Sequence, residues 1–294
     1  MSTAALSVRA GAAAAAGAPT RGRRAGGLAA ADHRKGGEHR LGVGAFALGA
    51  DLALVAAGEA AEDVKGVTAA QAGELVDRHH QYCKDVRPEI QRYAELLLDW
   101  NRAVNLTGAR TLEEVLAQIA AGDVLLAVPW TGIGRVIDIG SGGGLPGIPL
   151  ALAMPQVHFT LLEANRRKAA FLEHLAANLN LRNVALATGR AEELGRQPAL
   201  REQFDRAISR AAAPPAVLLE LALPFVRPGG DLVAQVSPID PQLLEPAARL
   251  LGGGPPRLER PGDGAGTLLV VPKLVPTPAG FPRRTGVPNR KPLA

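Results

Sequence analysis

A glycine-rich loop after a short apolar run restricts the fold of this chain more than any other segment. Residues 136–150 read VIDIGSGGGLPGIPL, so that an apolar run contains an acid, Asp138, and leads into a cluster of glycines. This pattern predicts a strand, a tight turn and a helix. The backbone of such a unit lets a nucleotide-like ligand approach closely.

The spacing of the glycines separates two classes of ligand. Gly140, Gly142 and Gly144 form G-x-G-x-G, whereas the third glycine of a dinucleotide-binding G-x-G-x-x-G would fall at Leu145. The first pattern favours S-adenosylmethionine as cofactor, and the second is typical of NAD or FAD. We expect the missing Cβ atoms to make room for the methionyl part and free loop N–H groups to meet its carboxylate. A generic turn in a glycine-rich protein and a nicotinamide-dependent oxidoreductase are the alternatives.

Apolar runs alternate with helical patterns after the loop. Strands are predicted over 135–139, 158–162, 184–187, 204–209, 231–235 and 267–271, and helices over 144–153, 167–179 and 216–225. This alternation predicts an α/β, Rossmann-like domain over 131–275, with a mostly parallel sheet covered by helices on both faces. Ligands of such sheets bind at the carboxyl ends of the strands.

A small helical region is predicted ahead of this domain, over 67–130. Tyr93, Leu97 and Trp100 follow the three- and four-residue spacing of an apolar helix face. Residues 105–108, NLTG, end that helix, and Thr111 with Glu114 forms a capping box for a second helix over 112–128.

The two ends of the chain differ in composition from the rest. Residues 1–66 are rich in Ala, Gly and Arg and predict a disordered extension, with a mis-assigned start or a targeting segment as alternatives. Residues 276–294 form a basic tail that contains no acid, which suits either phosphate contact or a solvated terminus. The net charge of +5 is compatible with a polyanionic partner.

Cysteine usage and hydropathy exclude several classes of protein. Cys83 is the single cysteine, so the chain forms no internal disulfide and no cysteine metal cluster. His79 and His80 lie close to it, but no further matching ligands follow, and no metal is expected. No run of about 18 strongly apolar residues exists, so no membrane partner is expected and a cytoplasmic location is predicted.

Polar residues follow the other predicted strands. Glu163 ends the second strand, where an acid can accept both ribose hydroxyls; a solvated loop carboxylate is the alternative. After the third strand, Ala191 and Glu192 could read the adenine edge, although Glu192 could also cap the next turn. Arg210 ends the fourth strand and is predicted either to lie over the cofactor or to form an ion pair with Asp138 or Glu163.

Several of these segments together resemble the bacterial RsmG (GidB) family of small-subunit rRNA methyltransferases. The matching text is LDWNRAVNLT at 98–107, the loop with its LPGIP, FTLLE at 159–163, RAEE at 190–193, ISRA at 208–211 and the basic tail. The resemblance covers roughly residues 70–292. It implies a class I S-adenosylmethionine-dependent methyltransferase that acts on guanine N7 in the decoding-region loop of 16S rRNA. It also implies cofactor contacts at Gly140, Leu145, Ala191, Glu192 and Arg210.

Two segments depart from the family pattern on the expected substrate side. Residues 118–123 read QIAAGD where the family usually has a His and an Asp-Ser pair, and residues 235–237 read QVS where it usually has LKG. Another acceptor, or a non-catalytic RNA-binding relative, therefore stays an alternative. Because guanine N7 carries a lone pair and no proton, no general base is expected, and no catalytic acid or base is assigned.

Overall fold

The helical region begins the part of the chain that can be described. A computed structural model describes residues 87–261 and 266–294. The predicted extension over 1–66, the start of the predicted helical region and the residues His79, His80 and Cys83 lie outside this part.

From residue 87 onward, two helices and a 3-10 segment precede the first described strand. Helix α1 spans Arg87–Val104, helix α2 spans Leu112–Ala120, and a 3-10 segment spans Asp123–Ala127. The Thr111 side chain accepts a hydrogen bond from the Glu114 N–H, so the predicted N-cap is confirmed. The return bond of the box is shifted by one residue, because the Glu114 carboxylate accepts from the Arg110 N–H instead of the Thr111 N–H. The prediction that this helix continues to residue 128 is wrong. The helix ends before Gly122, because glycine is a poor helix former, and the chain continues as the 3-10 segment from Asp123.

In the described residues after them, seven strands and six further helices follow. The strands are β1 Arg135–Ile139, β2 His158–Glu163, β3 Val184–Thr188, β4 Phe204–Arg210, β5 Val226–Val236, β6 Arg257–Glu259 and β7 Thr267–Pro272. The helices are α3 Gly147–Ala153, α4 Arg166–Asn178, α5 Ala191–Leu194, α6 Pro215–Ala222, α7 Glu245–Leu250 and α8 Val287–Arg290.

The strands form one sheet in the order β3-β2-β1-β4-β5-β7-β6. The first five pair in parallel, and β7 pairs antiparallel with both β5 and β6. The predicted α/β, mostly parallel architecture is therefore confirmed. The strand order reverses between β1 and β4, and the carboxyl ends of strands at such a point form the usual ligand crevice.

Some boundaries differ from the predictions for local reasons. Helix α3 begins at Gly147 instead of Gly144, because Gly144 has φ +93° and the two residues after it complete the turn. The helix predicted over 216–225 ends at Ala222, and a 3-10 segment, Leu223–Phe225, follows it. Strand β5 begins five residues before its predicted start. Helix α7 and strand β6 were not predicted.

The sheet is buried on both faces. Alternate residues of β1 point to opposite sides: Ile137 and Ile139 belong to a core with residues of α6 and α7, whereas Val136 belongs to a core with residues of α3. On the α3 side, Tyr93 and Leu97 of α1 share a third core with residues of α4. The glycine loop therefore lies between the helical region and the sheet.

A buried ion pair joins β4 to β5. Arg206, only 4% exposed, donates from Nε and Nη2 to the two carboxylate oxygens of Asp231 at 2.7 and 2.8 Å. Its Nη1 donates to the Pro129 carbonyl at 3.0 Å, and its guanidinium lies 4.9 Å from the ring centroid of Trp130. The arginine thus connects the segment before β1 to the centre of the sheet.

Replacing Arg206 tests this connection. We expect Arg206→Ala to lower the free energy of unfolding by about 3 kcal/mol, the lower end of the range for buried pairs, because it leaves the partly buried carboxylate of Asp231 without its partner. The matched control is Arg249→Ala, which removes an exposed ion pair with Glu245 within one helix and should cost no more than about 0.5 kcal/mol. Urea unfolding measures both variants, and equal losses would contradict the assigned role of Arg206.

Candidate functional site

The glycine loop is held to the end of β2 by its own amides. The N–H groups of Gly140 and Ser141 donate to the Leu162 carbonyl at 2.9 and 3.0 Å, and Gly142 N–H donates to the Glu163 carboxylate at 2.9 Å. Gly144 N–H donates to the Ser141 carbonyl at 2.7 Å. The expectation of free loop amides therefore does not hold for these four groups, which are engaged within the protein.

Close packing explains most of the glycines in the loop. A Cβ at Gly140 would lie 2.7 Å from Cβ of Ala212, and one at Gly144 would lie 2.8 Å from Cγ1 of Ile148. Both residues also have positive φ, at +73° and +93°. At these two positions protein atoms fill the space that we expected a ligand to use. A Cβ at Gly142 would have no atom closer than 3.7 Å, so that position is open.

Helix α1 supports the loop from the other side. The fully buried hydroxyl of Tyr93 donates to the Gly143 carbonyl at 2.8 Å. A Cβ at Gly143 would lie 3.0 Å from Cδ1 of Leu97. This support joins residues fifty positions apart, and the amphipathic pattern of the helix predicted only that Tyr93 would be buried.

Asp138 is the most perturbed acid beside the loop. Its carboxyl is fully buried; Oδ2 accepts from Gly147 N–H at 3.2 Å, and Oδ1 has no hydrogen-bond partner among the described residues. Burial raises the pKa of Asp138 to about 7, a rise that hydrogen bonds and the nearby positive charge of Arg210 only partly oppose. A cationic group that reached Oδ1 would favour the ionised carboxylate.

Glu163 connects three parts of this edge. Its carboxylate accepts from Gly142 N–H at 2.9 Å and from Asn165 N–H at 2.7 Å, and its carbonyl accepts from Gly189 N–H at 3.0 Å. The side chain is only 9% exposed. The alternative of a solvated loop carboxylate is therefore wrong, and Glu163 fixes the ends of β1, β2 and β3 relative to one another.

The residues after β3 are buried in helix α5. Ala191 and Glu192 are 7% and 3% exposed. The Glu192 carboxylate accepts from Gly286 N–H at 2.9 Å and does not cap the helix, so the capping alternative is wrong. No pattern in the sequence signals this contact, because the two residues are 94 positions apart.

Arg210 contacts a segment that departs from the family pattern. Its Nη1 donates to the Gln118 carbonyl in α2 at 2.5 Å, and it forms no ion pair with a described acid. Its charge interacts with Asp138 through space. Gln235, next to Arg210 in the sheet register, donates to the Ala121 carbonyl at 3.0 Å, and its Oε1 is buried without a described partner. The two departing segments therefore contact each other beside Arg210.

Five of the six predicted site residues lie at the carboxyl ends of four neighbouring strands or directly after them. They are Gly140 after β1, Glu163 at the end of β2, Ala191 and Glu192 after β3, and Arg210 at the end of β4. The sixth, Leu145, is 8% exposed and its side chain packs in the apolar core with residues of α1 and α4. Only its backbone is thus placed to contact a ligand in the crevice.

The chemistry of this edge fits S-adenosylmethionine. The cofactor carries a sulfonium and an ammonium group, which suit the unpartnered oxygen of Asp138, and two ribose hydroxyls, which suit a buried acid such as Glu163. Among residues 87–261 and 266–294 we find no group of three side chains able to hold a metal ion. None of the helices in those ranges combines the length and apolar character needed to cross a bilayer.

Gly140→Ala measures the packing of the loop against Ala212. We expect a loss of about 1–3 kcal/mol in unfolding free energy, beyond the cost of the positive φ, because the new methyl collides with another methyl. Gly132→Ala is the matched control, since Gly132 has φ +78° and a Cβ there would meet nothing within 4 Å. Adding Ala212→Gly to Gly140→Ala should recover part of the loss. Equal losses for the two single variants would contradict this packing.

Asp138→Asn tests the buried carboxyl through pH. The pKa is raised from 3.8 to about 7 by folding, so the neutral form is favoured and stability falls as pH rises from about 4 to 7. The amide cannot ionise, and we expect the variant to lose this slope and to gain a few degrees in Tm relative to the wild type at pH 8.

Cofactor affinity should change in the opposite direction. Wild-type affinity for S-adenosylmethionine should weaken as pH falls below about 7, and Asp138→Asn should bind about tenfold or more weakly at pH 8, without that pH dependence. Thermal unfolding and calorimetric titration at pH 5.5 and 8 provide both readouts. A variant that keeps the wild-type pH profile of binding would show that Asp138 does not face the cofactor.

Comparison with known proteins gives a consistent family. Residues 87–236 match the family model described as GidB, rRNA small subunit methyltransferase G. The chain is 41% identical over 212 residues to Ribosomal RNA small subunit methyltransferase G of Roseiflexus castenholzii, a match that covers 70% of this chain and 91% of the relative. It is also 41% identical over 222 residues to the protein of that name from Deinococcus deserti, with 71% and 91% covered.

One solved structure is also similar to this chain. S-adenosylmethionine-dependent methyltransferase SibL, in its apo form, is 16% identical with a TM-score of 0.47, and the match covers 69% of this chain and 75% of that one. The family assignment rests on the family model and the sequence relatives. The chain belongs to the GidB family of rRNA small-subunit methyltransferases, and it is an S-adenosylmethionine-dependent rRNA methyltransferase.

Proposed function

We propose that this enzyme transfers the methyl group of S-adenosylmethionine to N7 of a guanine in the decoding-region loop of 16S rRNA, within the small ribosomal subunit. The observation that carries the proposal is the group of buried acids around the glycine loop at the carboxyl edge of β1–β4. The family assignment supplies the class of acceptor. A cytoplasmic location follows from the proposed substrate.

We propose Gly140, Leu145, Glu163, Ala191, Glu192 and Arg210 as the cofactor contacts. Glu163 would accept the ribose hydroxyls with lone pairs that its two amide bonds leave available. Ala191 and Glu192 would meet the adenine edge, and the backbone at Gly140 and Leu145 would pass along the methionyl part. Arg210 would lie across the crevice from the loop, where its bond to the Gln118 carbonyl fixes the guanidinium.

In the proposed reaction, the protein contributes mainly by positioning the cofactor and the guanine, and not by transferring a proton. The bound cofactor supplies a methyl group on a positively charged sulfur, and in-line transfer to the N7 lone pair moves that positive charge to the base. The positive charge of the bound cofactor would favour the ionised form of Asp138, whose negative charge then stabilises that positive charge before and after the transfer. The loop and Glu163 are fixed before binding, so little reorganisation is needed.

No histidine of the described ranges lies at the crevice. The two histidines in the described ranges are His158, at the amino end of β2, and His174, in α4. Neither follows the carboxyl end of a parallel strand. The alternative is an S-adenosylmethionine-dependent enzyme with a different acceptor, because the two segments that depart from the family pattern lie on the expected substrate side.

A methyl-transfer assay on small ribosomal subunits tests the proposal. Subunits from cells that lack the enzyme are incubated with the protein and labelled S-adenosylmethionine, and RNA cleavage at 7-methylguanine locates the product. We expect label at one guanine of 16S rRNA and none in subunits from cells that contain the enzyme. Label in ribosomal protein, or cofactor binding without label in RNA, would reject the proposed acceptor.

A further inference from the structure

The C-terminal segment, residues 277–294, is fixed to the domain by buried and half-buried groups. The Arg201 guanidinium donates to the carbonyls of Thr277 and Phe281 at 2.6 and 2.8 Å. Arg283 donates from Nε and Nη2 to the carboxylate of Glu220, which is 1% exposed, with a shortest distance of 2.6 Å. The alternative of a loose, solvated terminus is therefore wrong for this segment.

The same segment reaches the cofactor edge of the sheet. Gly286, with φ +79°, donates its N–H to the Glu192 carboxylate at 2.9 Å, and the Thr285 hydroxyl donates to the Glu193 carboxylate at 2.9 Å. Both acids belong to α5, which directly follows β3. The residues that flank Gly286 are thus placed beside the proposed adenine end of the crevice.

Three positively charged residues of this segment make no ion pair with any described residue. Arg284, Arg290 and Lys291 are exposed, and within the described ranges none of them forms an ion pair. Residues 277–294 contain no Asp or Glu. By contrast, Arg283 in the same segment pairs with the buried Glu220 and so attaches the segment to the domain. Exposed guanidinium groups that form no ion pair suit phosphate oxygens, which they bind with two N–H groups each.

A second pair of cations lies on the neighbouring strand connection. Arg166 and Arg167 occupy the first turn of α4, directly after β2, and both are exposed. Positive charge in the first turn opposes the helix dipole, so helix stability does not account for these arginines. Because β2 and β3 are adjacent, this pair lies next to the end of the carboxyl edge that Thr285 and Gly286 of the C-terminal segment also reach.

We propose that the C-terminal segment is an rRNA-contact arm, which binds phosphates of the small-subunit RNA through Arg284, Arg290 and Lys291, beside the end of the cofactor crevice that Thr285 and Gly286 reach. The inference rests on the proposed function for the identity of the polyanion. The anchors at Arg201, Glu220 and Glu192 hold the arm in place, so that the cations are positioned before the RNA arrives. The arm orients the RNA and takes no part in methyl transfer itself.

The test compares two matched double variants of the full chain. Arg284→Gln/Arg290→Gln removes two arm cations, and Arg249→Gln/Arg257→Gln removes two exposed arginines that are paired with acids elsewhere on the molecule. Binding to purified, unmethylated small ribosomal subunits is measured between about 50 and about 300 mM KCl, a range over which the loss of phosphate contacts changes the affinity strongly. Calorimetry with S-adenosylmethionine and thermal unfolding accompany each binding series.

We expect the arm variant to bind subunits about tenfold more weakly at moderate salt, and the slope of log K against log salt to fall by about two. The control variant should keep the wild-type slope, and both variants should bind S-adenosylmethionine within about twofold of the wild type. Equal slopes for the arm and control variants would overturn the proposal, as would a loss of cofactor binding that accompanies the loss of RNA binding.

Subunit binding is measured without turnover, which separates this proposal from the proposed reaction. If the wild type binds subunits with an arm-dependent salt slope but transfers no methyl group to RNA, the proposed acceptor is wrong and the proposed role of the arm is retained. If the wild type methylates 16S rRNA and the arm variant has an unchanged KM for subunits, the proposed role of the arm is wrong and the proposed reaction is retained.

Discussion

The glycine loop can form only because its neighbours occupy the space that side chains would need. Helix α3 starts against the buried carboxyl of Asp138, where a Cβ on Gly147 would lie 2.7 Å from Oδ2. Ala212 closes the loop from the β4 side, and Tyr93 closes it from α1. The crevice at the ends of β1 and β4 therefore depends on contacts made by the protein with itself, before any ligand is considered.

Glu163 extends this constraint across the sheet. By accepting the amides of Gly142 and Asn165, its carboxylate fixes the loop to the start of α4, and its carbonyl fixes the start of the segment that leads to α5. The segment after β3 then receives the C-terminal arm at Glu192. One buried acid thus connects the proposed methionyl, ribose and adenine ends of the crevice.

Local patterns predicted most of the fold and the strand ends that carry the site. The bounds of β1 agree with the prediction, and the Thr111 side chain caps α2 at the Glu114 N–H, because both features depend on near neighbours in sequence. The start of α3 was misplaced, since the positive φ of Gly144 is set by packing. The partners of Glu192 and Arg210 could not be predicted, because Gly286 and Gln118 lie more than 90 residues away from them.

Hydrogen–deuterium exchange of the full-length protein with and without S-adenosylmethionine tests the central claim most directly. The account predicts that the cofactor slows exchange in the loop at 140–147, in the segments after β2 and β3, and at the end of β4, with little change in β6 and β7. Protection confined to other parts of the sheet, or the same protection with NADH in place of S-adenosylmethionine, would contradict the assignment of this crevice as the cofactor site.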